Sequence, residues 1–237
     1  MPKIYGFNKT SEAGIKVFAP SIFLQGCNLQ CPYCLNAILA KSEMKPKSEI
    51  PLSVIDEYVE EESPEMIMIS GGEALMHKDF ENLIAHFIFK GLKIGLSTNG
   101  VLAYKLKSVI DKLDYVALDI KASDPEVYTS LTVSKFPAMS HIEASHHFLR
   151  NEKSQRPSFD YEIRTTLYPP YVNLQTIHEI GQRLVDGERW VLQQYRPTKR
   201  MYDMEETEGV EQYGPETIEK FLMVAKSYTK ETYMRYV

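Results

Sequence analysis

Cysteine is scarce: three in 237 residues, all inside the eight-residue stretch 27–34. An odd, clustered set cannot staple a fold together, which excludes a disulfide framework and points to metal or redox chemistry. Positive charge is outnumbered, with 27 Lys and Arg against 32 Asp and Glu for a net charge of −5, and no basic block occurs. Such a chain has little to grip a phosphate backbone, so nucleic acid is not expected as a partner. Long apolar runs are also missing. The one long charge-free stretch, 17–40, is broken by Pro20, Gly26, Asn28, Gln30, Pro32 and Asn36, so it does not read as a membrane span. The first residues carry Lys3, Lys9, Glu12 and Lys16 without an apolar segment, which predicts no secretory leader and a cytoplasmic location. What is present is ordinary globular material: 43% hydrophobic and 25% charged residues exclude disordered, collagen-like and coiled-coil classes. The length suits a sizeable core in one or two domains, and a single domain over 1–237 is expected, with a C-terminal extension over about 198–237.

Periodicity gives short β-rich apolar runs over 17–25, 66–70, 93–97, 115–120, 161–167 and 190–195. Between them run amphipathic patterns over 53–62, 80–90, 103–113, 141–150 and 174–184, with another over 215–228. Alternation of this kind predicts an α/β fold with right-handed βαβ crossovers and a parallel sheet, either open or closed into a full or partial barrel. Two segments break the rhythm, 134–158 and 198–214, and both read as surface loops.

Each strand runs into polar or glycine residues. The first leads into Gly26-Cys27, the second into Gly71-Gly72-Glu73, the third into Thr98-Asn99-Gly100, and the fourth carries Asp119 and Lys121. Strands five and six carry Arg164-Thr165-Thr166 and Gln193-Gln194-Tyr195-Arg196-Pro197. Parallel strands put their C-terminal ends on one face, where α/β enzymes place their sites, so these groups are predicted to converge.

Cys27, Cys31 and Cys34 have Cys-x3-Cys-x2-Cys spacing in a loop of 26–36, which lets three thiolates meet at one metal centre. A 4Fe-4S cluster normally takes four cysteines, so three leave one iron open to another ligand. The spacing also permits a structural zinc with His77 or another histidine as fourth ligand. Gly71-Gly72-Glu73 directly after a strand allows close backbone approach beside a carboxylate, which suits a zwitterionic amino acid, although an ordinary turn has the same pattern.

Taken together, the cysteine triplet with Tyr33 before its third member and Gly71-Gly72-Glu73 one strand later resemble the radical S-adenosylmethionine (SAM) superfamily. Ser97-Thr98-Asn99-Gly100, the run 114–121, the run 161–166 and 193–197 are similar to the activating proteins of anaerobic ribonucleoside-triphosphate reductase, within the glycyl-radical enzyme activases. The resemblance implies a partial (βα)6 barrel and a 4Fe-4S cluster held by Cys27, Cys31 and Cys34, with SAM on its open iron. It implies reductive cleavage of SAM to a 5′-deoxyadenosyl radical that takes hydrogen from a glycine of a partner glycyl-radical enzyme. A one-electron reductant such as flavodoxin or ferredoxin is implied too. By motif position, Gly71, Gly72 and Glu73 hold the methionine amino group, and Ser97, Asn99, Asp119 and Lys121 are candidates for its carboxylate and the ribose. Tyr33 lies near adenine, and Arg164 and Gln194 face the same mouth.

The sequence departs from the activase pattern where Leu35-Asn36 replaces His-Asn, where Glu12-Ala13-Gly14 replaces Asp-Tyr-Pro-Gly, and where Ala74 replaces a proline. Two alternatives therefore stand beside the activase: a radical SAM enzyme for a small molecule, of the 7-carboxy-7-deazaguanine synthase kind, and a non-catalytic iron-sulfur electron-transfer or sensing module. Asp119, Lys121 and Arg164 can also be read as structural ion pairs, Glu60-Glu61-Glu62 as a solvated helix end, Trp190 as core, and His141, His146 and His147 as loop residues rather than a second metal site.

Overall fold

The computed structural model describes residues 1–11, 17–41, 48–134, 137–197, 203 and 205–236. Glu12-Ala13-Gly14 lies outside these residues, as does most of 198–204. The strands are β1 (Ile4–Asn8), β2 (Ser21–Leu24), β3 (Met66–Gly71), β4 (Lys93–Thr98), β5 (Tyr115–Asp119), β6 (Asp160–Leu167), β7 (Arg189–Gln194) and β8 (Thr232–Arg235). They form one sheet in strict chain order from β1 to β8. The first pair is antiparallel and every later pair is parallel. Sequential parallel order is what repeated βα crossovers produce, and it curls the sheet toward a barrel with β1 and β8 as its edges.

The helices are α1 (Ala37–Ala40), α2 (Leu52–Glu62), α3 (Phe80–Phe89), α4 (Ala103–Val109), α5 (Pro125–Thr132), α6 (Ala138–Gln155), α7 (Leu174–Gly181) and α8 (Pro215–Lys226). Strand alternation sorts the core into two layers. In β3, Ile67 and Ile69 join the large cluster under the helices, while Met66 and Met68 join Ala19, Tyr115 and Ala117 in a small cluster on the other face. Trp190 is fully buried and its Nε1–H donates to Thr165 Oγ1 at 3.0 Å, in line with its reading as core.

One expectation fails. Most of 134–158, read as a loop, is the 18-residue helix α6, which takes in the amphipathic pattern over 141–150, whereas the pattern expected over 215–228 is helix α8 at 215–226. Helix α6 buries Met139, Ile142 and Leu149, but Ser145 and His146 fill the intervening buried positions, so its apolar stripe is diluted by polar residues. Each has a specific partner: Ser145 donates to the Gly100 carbonyl at 2.6 Å, and His146 Nε2 lies 2.6 Å from Glu188 Oε1. Helix α5 starts on a cap in which Asp124 accepts from the N–H groups of Glu126 and Val127, both at 2.9 Å, with Pro125 at the first helical position. Among the described residues, no helix is long and apolar enough to cross a membrane.

Candidate functional site

The cysteine loop begins where β2 ends. Gly26 turns the chain with φ +95° and donates its N–H to Leu39 at 2.7 Å, which folds α1 back over the loop. Gln30 donates to Thr132 at 2.9 Å, tying the middle of the loop to α5. Beside it runs the end of β3, and here the two glycines are compulsory. A Cβ on Gly71 would sit 2.2 Å from the Leu24 carbonyl oxygen, and one on Gly72 would sit 1.9 Å from that of Gly26. The close approach lets Gly72 donate to Leu24 and Glu73 to Gly26, at 2.9 and 2.7 Å. Asn36 closes the other side, its Nδ2–H donating to the Gly71 carbonyl at 3.0 Å.

The Glu73 side chain faces away from the opening. It is fully buried, and it accepts from Thr98 Oγ1 at 3.0 Å, from the Asn99 N–H at 2.9 Å and from the Leu75 N–H at 3.2 Å. Burial pushes its carboxyl up to about 7 against the pull of those donors. Of the three motif residues it is Gly71 and Gly72 that line the cavity, while the Glu73 N–H donates to Gly26 and its carbonyl accepts from Met76.

The expected cations, Lys121 just past β5 and Arg164 on β6, are joined to one acid at the end of β5. Lys121 Nζ lies 2.9 Å from Asp119 Oδ2, and Arg164 Nε lies 2.9 Å from Asp119 Oδ1. Burial works against the Asp119 carboxylate, but Arg164 and Lys121 outweigh it and hold the group below its ordinary value. The structural ion-pair reading of these residues is thus correct as far as contacts go. Deeper on the same face, Arg235 of β8 makes a two-pronged pair with Glu162, at 2.9 and 3.0 Å.

These pieces enclose one cavity of about 500 Å³. It brings together Cys27, Cys31, Cys34, Tyr33, Gly71, Gly72, Ser97, Asn99, Asp119, Lys121, Arg164 and Gln194, while the Glu73 side chain stands behind its wall. The cavity also takes in Asn36, Thr98, Thr166 and Gln193, which the sequence reading placed in its motifs without a role, and Arg235, which had no local signal because only strand order brings it to the barrel.

The fit to an iron-sulfur cluster and SAM rests on this donor set. Three half-buried thiols face one cavity; desolvation pushes Cys27 and Cys31 up to about 12, so a metal would have to displace their protons to bind. Histidine does not complete a zinc set through His77, whose Nε2 lies 2.9 Å from the Gln25 carbonyl and which lines a separate pocket with Lys3 and Asp79. The Tyr33 hydroxyl and Ser97 Oγ are buried in the wall with no hydrogen-bond partner among the described residues, an arrangement that a polar ligand would satisfy. Tyr33 packs its ring on Tyr168 at 4.7 Å, which fixes the hydroxyl in place.

Two curated proteins of Methanocaldococcus jannaschii that bear the name of glycyl-radical enzyme activating enzymes are similar to this chain. One is 28% identical over 193 residues, covering 78% of this chain and 75% of its own length. The other is 31% identical over 166 residues, covering 69% and 62%. A 7-carboxy-7-deazaguanine synthase of Aquifex aeolicus is 34% identical over a shorter span of 92 residues, 38% of this chain and 40% of its own. Among solved structures, Streptococcus suis SuiB bound to S-adenosylmethionine superposes with a TM-score of 0.62 at 14% identity, over 90% of this chain and 48% of that one, a likeness of fold. The radical SAM superfamily itself matches residues 21–144, more than half of the chain and the part that holds the cysteine loop, the paired glycines and Asp119, so this protein belongs to the radical SAM superfamily.

Proposed function

We propose that the chain, acting as one cytoplasmic domain, is a glycyl-radical enzyme activase. Cys27, Cys31 and Cys34 hold a 4Fe-4S cluster, and the Gly71-Gly72 backbone with Ser97, Tyr33 and Lys121 holds SAM. Such a cluster would supply one-electron reduction of SAM to methionine and a 5′-deoxyadenosyl radical, and the cavity walls would limit the access of water to that radical. The chain's own contribution is to fix the reactants and exclude solvent.

The observation that carries the substrate class is the state of the cations. Lys121 and Arg164 share the one carboxylate of Asp119 and Arg235 is paired with Glu162, so these three cations leave a single positive charge on the cavity wall, which the SAM carboxylate assigned to Lys121 would take up. The remaining wall on the β6 and β7 side is made of Thr166, Gln193 and Gln194, whose hydroxyl and amides match the donors and acceptors of a peptide backbone. A glycine-bearing loop of a partner protein suits this wall better than a multiply charged small molecule.

Anaerobic reconstitution is expected to give about four irons per chain, a cluster spectrum perturbed by SAM, and deoxyadenosine after reduction. Mixing with a glycyl-radical reductase is expected to give an organic radical by electron paramagnetic resonance. A single air-stable zinc, or loaded clusters indifferent to SAM, would overturn the enzyme reading. The second reading, a small-molecule enzyme of the 7-carboxy-7-deazaguanine synthase kind, draws support from the local likeness over 92 residues and from Arg196, an exposed cation at the rim. Failure to form a radical with any such partner, together with saturable binding of a carboxylate-bearing heterocycle lost in Arg196→Ala, would favour it.

A further inference from the structure

Cys27 is held from both of its ends by one ring of hydrogen bonds. Its neighbour Gly26 accepts from the Glu73 N–H at 2.7 Å. The Glu73 carboxylate accepts from the Asn99 N–H at 2.9 Å. The Asn99 side chain then returns to the start, with Nδ2 at 2.8 Å from Asn28 Oδ1 and 3.8 Å from Cys27 Sγ. The amide cannot turn over, because its Oδ1 accepts the Val101 N–H at 3.0 Å and so aims Nδ2 at the thiol. Asn99 is buried directly after β4, and bonds to its backbone N–H and its Oδ1 fix the donor before any ligand arrives.

We infer that Asn99 is a positioning residue that raises the reduction potential of the bound cluster through an N–H···S contact to Cys27. The inference rests on the cluster assignment of the preceding subsection. Reduction places more negative charge on the cluster and its cysteine sulfurs, and a fixed N–H dipole aimed at a sulfur stabilises that charge more in the reduced state than in the oxidised one. Of the three cysteines, Cys27 is the one with this side-chain amide contact among the described residues. A cluster tuned in this way is easier to reduce by a weak donor, while SAM binding through other groups is untouched.

The test is an electron paramagnetic resonance-monitored redox titration of the reconstituted holoprotein without SAM, comparing wild type with Asn99→Ala and Asn99→Asp. The aspartate keeps the side-chain size but replaces donors by acceptors. Both variants are expected to keep about four irons and to move the midpoint negative, for Ala by about tenfold in the one-electron reduction equilibrium, or about 59 mV, and for Asp by more. A role limited to SAM contact leaves the SAM-free potential unchanged and alters only the SAM dissociation constant, and a purely structural role lowers the melting temperature alone. Either outcome, or loss of iron from both variants, overturns the proposal. A wild-type chain that takes up no iron removes the cluster assignment along with it, whereas equal potentials remove this proposal only.

Discussion

Gly72 lies so close to Gly26 that a single added methyl group would stand 1.9 Å from the Gly26 carbonyl oxygen. The obstacle is backbone on both sides, with no flexible side chain to give way. Gly72→Ala is therefore expected to separate the ends of β2 and β3 and to cost at least the ~1–3 kcal/mol of an overpacked core. Iron uptake should fall along with the melting temperature, because the same displacement moves Gly26 and hence Cys27. A variant that melts and loads iron as wild type does would mean that the two loops are not in register as described.

Tyr33→Phe should push two measurements in opposite directions. The hydroxyl is buried without a hydrogen-bond partner among the described residues, so deleting it removes a desolvation cost of about 1 kcal/mol and raises the melting temperature of the ligand-free protein by roughly 2–4 °C. SAM affinity should fall if the hydroxyl finds its partner there. Calorimetric melting and SAM titration on the same preparation check both, and a lower melting temperature would show that the hydroxyl already has a partner.

Asp119 and Lys121 should separate in mutagenesis even though they touch. Asp119→Asn leaves Lys121 and Arg164 facing each other with no carboxylate between them, and a loss of about 3 to 5 kcal/mol is expected, seen in denaturant melts with iron retained. Lys121→Ala leaves Asp119 paired with Arg164, so the fold should hold while SAM binds roughly 10- to 150-fold more weakly. Unchanged SAM affinity in Lys121→Ala would limit that lysine to a structural role.

Glu188 offers a pH prediction remote from the cavity. Its carboxylate accepts from Arg150 Nε at 2.8 Å, the Tyr161 hydroxyl at 2.6 Å and the Val185 N–H at 2.7 Å, and it lies against His146. Burial alone would raise its pKa, but hydrogen bonds from His146, Arg150 and Tyr161 hold it well below its ordinary value of 4.5. A depressed carboxylate contributes its stability in full above the unfolded value and loses it as pH falls toward the folded one. Wild type should thus lose melting temperature between about pH 5 and 3. Glu188→Gln should be less stable by about 3 kcal/mol at pH 7 and flatter across that acid range. Parallel acid slopes for the two proteins would place the acid sensitivity elsewhere.

The six central strands were legible because each is a short apolar run ending in glycine or polar residues, and the structure places them within a few residues of the expected bounds. The two edge strands were not. β1 reads Ile-Tyr-Gly-Phe-Asn and β8 reads Thr-Tyr-Met-Arg, each with mixed burial, and neither has the unbroken apolar character of a strand covered on both faces. The cysteine triplet and paired glycines announced the site because metal-ligand spacing and backbone contact are local properties of a sequence. The direction of a side chain is not local. Glu73 looked like a ligand-facing carboxylate and turns instead to Thr98 and Asn99, and nothing before the fold could couple Arg235 to Glu162 across 73 residues.

The edges of the sheet have a mechanical consequence. Asn8 at the end of β1 and Arg235 and Tyr236 at the end of β8 all border the central cavity, and the sheet order leaves those two strands as its outer members. A closed barrel can widen only by rupturing a ladder of backbone hydrogen bonds, each of which must then find water. Here the circumference has a seam that no ladder joins among the described strands, so β1 and β8 can spread apart while every inter-strand bond of the sheet stays intact. The spacing of these two strands is therefore not fixed by a backbone ladder, so the mouth between them can widen at no cost in sheet hydrogen bonds.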